Sequence, residues 1–323
     1  FGAGVAGTKR NCTVTRLPTG GIKKAVVTSG DPSGHFLAGR VYPPGKSLNV
    51  DVVVWKDGKL VDTPDMPGSD ASLRDINSSG VAVGTSYDGD KQQAYVYREG
   101  AFTKLAGPGD VSGINDAGVM VGSIGSDIEP SPVRWASPGA KPQRLPLPDG
   151  VKTAVARDVD EDGTILGLVA LKEGKDTAYL WMADGTHRAL PAPTVDGKKA
   201  DAFWPDSMAA GKVIGRAVFE SKDSMSFKTV LYDIPSGGYT EVFPLDAPRI
   251  AANGTIFGVE WTDRRMGLPV LMTGDQKTKL PSGGRREFVV SSISSDGRTL
   301  AGYSVGSEET GPISNDPWMW TCG

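Results

Sequence analysis

The chain has 323 residues, a formal net charge of −3 and a pI near 5.6. That balance leaves no basic footprint for nucleic acid, and no apolar run approaches the ~18–20 residues a membrane-spanning helix needs. Its 43 glycines and 23 prolines follow no Gly-X-Y period, so they punctuate turns, and 38% hydrophobic residues suffice for a core.

The segment Phe1–Gly7 is small and apolar but too short for a signal peptide, and it reads as the start of a mature chain or a cloning remnant. Residues 1–10 are taken as a tail and 11–323 as one domain. Beyond the tail lies an orphan β-rich run, Thr13–Pro18, and then a repeat begins. A glycine, three or four mostly apolar residues and a second glycine recur at Gly34/Gly39, Gly80/Gly84, Gly118/Gly122, Gly163/Gly167, Gly211/Gly215, Gly254/Gly258 and Gly297/Gly302. Seven copies at a period of roughly 40–50 residues decide the architecture before any single residue does.

The second copy shows the unit. Four short runs of β-formers, Ser72–Ile76, Val81–Thr85, Ala94–Tyr97 and Phe102–Leu105, are separated by turn residues and read as strands a to d. Strand c tends to end on an aromatic: Trp55, Tyr97, Trp135, Trp181, Tyr232 and Trp320, with Met272 in the sixth copy. Strand d tends to close on Leu–Pro, as at Leu145–Pro146, Leu190–Pro191 and Leu280–Pro281. No stretch holds a 3.6-residue period, so almost no helix is expected. Four strands per unit and seven units predict an all-β fold, a seven-bladed β-propeller. Each blade is apolar on both faces and buries them only by stacking in a ring.

The chain ends fit the same scheme. The seventh copy stops after strand c, while Thr15–Gly21 resembles the strand d ending Thr278–Gly284. The N-terminal strand is therefore expected to complete the last blade. Cys322 then lies where a c–d turn begins and Cys12 where it ends, which predicts a disulfide between them; the alternative is two free thiols. A disulfide implies an oxidising compartment, hence secretion.

The sequences Trp55–Leu60, Ile76–Gly84 and Ala94–Tyr97, with Ile114–Gly118 as the closest match, resemble the bacterial extracellular HAF-type repeat. The resemblance runs over nearly the whole chain, with looser matches in blades 1, 5 and 6. It implies an exported propeller and carries no catalytic residues.

Several motifs invite chemistry. Gly302–Gly306 matches Gly-x-Ser-x-Gly, but it lacks the strand-to-helix elbow and a nearby histidine, so a serine nucleophile at Ser304 is not expected. Asp158, Asp160, Asp162 and Gly163 resemble the start of a calcium loop, yet position twelve is Val169 where a bidentate glutamate belongs. An ordinary turn is the first reading and a weak calcium site the second. No Cys/His cluster and no phosphate-binding loop occurs, so no cofactor is expected. Asn11, Asn77 and Asn253 open glycosylation sequons and are also good turn residues. Asp75, Asp158 and Asp206, with Arg74, Arg157 and Arg249, fall in or near strand a and are read first as channel lining.

The aromatic and arginine residues that break the repeat are the expected ligand contacts. They are Trp204, Trp261, Tyr42, Tyr87, Arg264, Arg265 and Arg286, all assigned to the face built by d–a and b–c loops. The expected function is a secreted, monomeric, non-enzymatic module binding a surface glycan or a protein there. The alternatives are a scaffold or inhibitory subunit of a larger assembly, and a carbohydrate-active enzyme with acids at the channel mouth.

Overall fold

The computed structural model describes residues 9–45, 50–171, 176–260, 267–306 and 315–323. Among the described residues there is no helix. Seven four-stranded antiparallel sheets follow one another, each pairing its strands in the order a, b, c, d. Strand a is Ala25–Gly30, Ser69–Ile76, Gly109–Ile114, Ala154–Val159, Ala202–Ala209, Asp246–Ile250 and Phe288–Ile293 in blades 1 to 7. The seven sheets close into a ring, so the predicted β-propeller is the fold.

The strands run longer than the apolar runs suggest. In blade 2 they are Ser69–Ile76, Ala82–Asp88, Lys91–Arg98 and Ala101–Lys104, because polar residues such as Tyr87 and Gln92 continue the ladder past the buried part. The long d–a connection before strand a of blade 5 carries a small hairpin of Thr194–Val195 against Lys198–Lys199.

The last blade pairs Cys12–Arg16 with Asn315–Cys322, and Cys12 lies directly opposite Cys322. The two cysteines form the predicted disulfide, with Cα atoms 4.1 Å apart and 310 residues between them. The N-terminal strand thus supplies strand d of blade 7.

Both glycines of the repeat have a backbone reason. The first, such as Gly118, sits in the turn at φ 84°, a region that L-residues avoid. The second, such as Gly122, faces Val111 just before an irregularity in strand a. A Cβ on Gly122 would overlap the carbonyl oxygen of Asp110. Every strand a breaks register near this level, at Val27/Ser29, Leu73/Asp75, Val111/Gly113, Ala156/Asp158, Pro205/Ser207, Asp246/Arg249 and Val290/Ser292. A bulge bends its strand and re-aims a side chain. Here it delivers residues such as Thr28, Arg74, Ser112, Arg157, Asp206 and Ser291 to the lining of a central channel.

The two sequence tendencies of strands c and d meet in one hydrogen bond. The indole N–H of Trp55 donates to the Pro18 carbonyl at 2.7 Å, Trp181 to Pro146 at 2.7 Å and Trp320 to Pro281 at 2.8 Å. Each aromatic closing strand c is thereby tied to the Leu–Pro end of the preceding blade's strand d. Trp135 follows a blade that ends in Leu105–Ala106, and its buried N–H finds no acceptor among the described residues.

Candidate functional site

Strand a of all seven blades lines a central cavity of about 860 Å³ that extends to the a–b turns. Most of its polar groups bind the ring together. Asp75 accepts from the Ser29 hydroxyl of blade 1, from its own neighbour Ile76 and from the Ile114 N–H of blade 3, each at 2.9 Å. Ser112 donates to the Ala156 carbonyl, Ser291 to Val27 and Arg249 to Asp206, all across blade boundaries.

The a–b turns repeat this stitching at the channel mouth. Asn77 donates to the Asn115 carbonyl, and Asn115 donates to that of Asp160. Asp160 in turn accepts from Ala210 and Gly211 of blade 5. Its neighbour Asp162 accepts from Thr164 within the turn. The Asp-x-Asp-x-Asp-Gly stretch is therefore a turn plus an inter-blade cap, and no metal-holding cluster of His, Cys, Asp or Glu occurs among the described residues. Asn77, buried and bonded at both ends of its amide, is not an open glycosylation acceptor.

Burial in the channel raises three carboxyl groups. Asp75 is pushed up to about 6, partly offset by its hydrogen bonds. Asp158 is pushed up to about 8 by burial and by the nearby Asp75 charge. Asp206 rises to about 6 by burial, against the pull of Arg216 and Arg249. Burial and the Asp75 charge thus both favour the protonated form of Asp158. Two carboxyls pushed apart in one cavity are what proton-transfer sites use, but the three hydrogen bonds of Asp75 across blades 1 to 3 give it a structural task.

Ser304 of the Gly-x-Ser-x-Gly match is 1% exposed, lies within a strand and accepts from the Trp318 indole at 2.9 Å. The histidines are elsewhere: His35 pairs with Asp57 at 2.7 Å, and His187 meets the Tyr179 hydroxyl.

On the d–a and b–c side, the expected contact residues separate. Trp261, Arg264 and Arg265 lie outside the described residues. Tyr42 follows strand b of blade 1, with Lys24 at 4.6 Å and Arg40 at 5.3 Å over its ring. Tyr87 lies within strand b of blade 2, where Gln92 donates to its hydroxyl. Arg286 is exposed, while its neighbour Arg285 pairs with Asp316 at 2.7 Å. Trp204 is half-buried near the start of strand a of blade 5, just past the d–a connection. No hydrogen bond, aromatic pair or cation–π pair among the described residues joins any two of these four.

Trp204 instead joins residues that break no repeat pattern. Its ring lies 5.8 Å from that of Phe227, and the Arg216 guanidinium sits over both, at 5.8 Å and 5.5 Å. Beside them Arg216, Phe227, Thr229, Pro244, Leu245 and Asp246 enclose a cavity of about 300 Å³ between blades 5 and 6. Phe227 is 43% exposed and Met225 46%. Their signal in the sequence was faint: Met225 and Phe227 alternate with Ser226 and Lys228 as any strand residues do.

Comparison with known proteins yields the fold alone. No family model matches the chain and no curated protein matches it, so the HAF-type resemblance rests on its motifs only. Among solved structures, the β-propeller domain of the Trilobed protease from Pyrococcus furiosus, described as an open velcro topology, is similar at TM-score 0.64 and 11% identity, over 92% of this chain and 96% of that one. The acylaminoacyl peptidase of Pyrococcus horikoshii is similar at TM-score 0.58 and 14% identity; the match covers 92% of this chain and about half, 51%, of that chain. The RRP9 WD40 repeats are similar at TM-score 0.55 and 12% identity, over 96% and 97%.

Proposed function

We propose that the chain is a secreted, non-enzymatic binding module that holds a protein partner on the d–a and b–c face, at blades 5 and 6. The observation that carries this is the Trp204–Arg216–Phe227 cluster beside the cavity next to Leu245. Exposed aromatic residues and arginine around an apolar pocket are the composition of binding hot spots. A protein suits the cluster better than a glycan, because Arg216 covers the Trp204 ring and the two aromatic rings are tilted by 44°. That leaves no open flat platform for a sugar. The stitched ring holds the face pre-organised, so little entropy is lost on binding. The disulfide supports an extracellular setting.

The test is affinity capture from native culture fluid with the intact protein, run beside a glycan array. A protein captured by the wild type is expected to be lost with Trp204→Ala and kept with Arg298→Ala, on the opposite side of the ring. Capture indifferent to Trp204→Ala, or binding confined to glycans, contradicts the reading.

One observation favours a second reading, a carbohydrate-active enzyme: the raised carboxyls of Asp158 and Asp206 share the channel cavity. It predicts polysaccharide turnover that is lost with Asp158→Asn.

A further inference from the structure

We infer that the outer edge of strand c in blade 5, Met225–Lys228, receives an extended segment of the partner polypeptide as a fifth strand. This rests on the protein-binding reading above and specifies how the partner is held.

Strand c of blade 5 is Met225–Asp233, and its strand d is only Gly238–Glu241. Strand d covers Val230–Asp233, and one further bond runs from the Val242 N–H to the Thr229 carbonyl at 3.0 Å. No described residue pairs with the outer edge from Met225 to Lys228. Strand b, Lys212–Glu220, covers the inner edge to its end, with Val218 opposite Phe227 and Glu220 opposite Met225.

The direction of the free groups follows from alternation. In an antiparallel ladder, successive residues send their N–H and C=O to opposite sides. Thr229 faces outward, because its carbonyl takes the Val242 bond. Phe227 and Met225 share that parity, so their main-chain donors and acceptors point away from the blade. Ser226 and Lys228 point inward to strand b. The edge therefore offers two sets of donor and acceptor at a spacing of roughly 7 Å, which is what an extended chain matches.

The side chains specify the rest. Phe227 and Thr229 share a face with Arg216, and all three line the 300 Å³ cavity with Leu245. A side chain of the incoming strand on that face projects over this cavity, whose walls of Phe227, Pro244 and Leu245 select an apolar one.

Blade 2 shows what a guarded edge looks like. Its strand c also outruns strand d, but the overhang is Lys91, Gln92 and Gln93. The Gln93 amide folds back on the Ala94 and Leu105 carbonyls. Charged and polar overhangs of that kind blunt strand addition. Blade 5 exposes Met225 and Phe227 instead.

The experiment pans a random linear-peptide display library against the intact protein. A selected peptide is then resynthesised with an N-methyl group at each position in turn. Expected are losses of about tenfold or more at alternate positions and little change between them, since only alternate N–H groups meet the edge. Phe227→Ala is expected to weaken the parent peptide by about tenfold with the circular dichroism spectrum unchanged, while Phe227→Tyr retains it. The inference is overturned if no selected peptide is weakened by Phe227→Ala, if the N-methyl losses lack the two-residue alternation, or if sedimentation shows a second copy of the chain filling this edge. A partner captured through Trp204 by a peptide-independent surface leaves the proposed function standing and removes the strand-addition mode alone.

Discussion

Asp158 concentrates the electrostatics of the ring in one side chain. Its carboxyl is raised to about 8, above the ordinary value of 3.8, and Asp75 and Asp206 are raised to about 6. For an acid raised in the folded state, the folded form binds the extra proton. The associated stabilisation is full below the unfolded value and is lost as pH rises through about 6 and then about 8. Thermal unfolding is therefore expected to shift down between pH 5 and pH 8.5. Asp75 and Asp158 keep some surface on the open channel, which discounts the effect to roughly 1–3 kcal/mol. Asp158→Asn is expected to remove most of the shift and to stabilise the protein at pH 8.5. A melting temperature that rises from pH 5 to pH 8.5 contradicts the assignment. The repeated asparagine acts by hydrogen bonding instead. Asn115 is 2% exposed, accepts from Val119 at 2.9 Å and donates to the Asp160 carbonyl of blade 4 at 3.1 Å. Asn115→Ala leaves both partners unmet in a buried site and is expected to cost about 2–4 kcal/mol in denaturant unfolding.

The blade is the element in which the sequence was most legible. Gly118 and Gly122 mark a turn and a crowded strand crossing, and both constraints are local, so they print a fixed spacing in every copy. The aromatic at the end of strand c and the Leu–Pro at the end of strand d were visible too, but their bond joins different blades and no spacing within a blade reports it. The inner-strand bulge left only an indirect trace, the second glycine, because Arg74, Ser112 and Asp206 share no residue type. The candidate site was legible in part for the same reason. Trp204 departs from the repeat and stood out, whereas Phe227 and Met225 fit strand alternation and acquire meaning only where strand d stops short. Gly122→Ala tests the bulge account: the added methyl meets main chain at Asp110 and Val111 rather than a flexible side chain. It is expected to destabilise by about 3 kcal/mol or more, against at most ~1 kcal/mol for an exposed loop glycine such as Gly139→Ala.

Over the whole molecule, the ring is closed by a strand from the other end of the chain and locked by Cys12–Cys322. A loop of this length places the disulfide at the upper end of the chain-entropy scale, about 5 kcal/mol on that model. Replacing both cysteines by serine is expected to cost about 2–5 kcal/mol while the room-temperature circular dichroism stays unchanged, because five residue pairs still hold the strand. An unchanged unfolding midpoint contradicts the closure role. Exposed large apolar side chains occur around the ring, at Val61, Ile128 and Leu171 as well as at Met225, Phe227 and Leu268, but at blades 5 and 6 they adjoin the Trp204–Arg216 pair and a cavity, and the proposed partner site is there. Hydrogen exchange of the intact protein, with and without the captured partner, tests this most directly. New protection is expected in Lys212–Asp233 and Pro244–Asp246, with the a–b turns around Asn77, Asn115 and Asp160 unchanged. Protection confined to those turns and the channel strands contradicts the account.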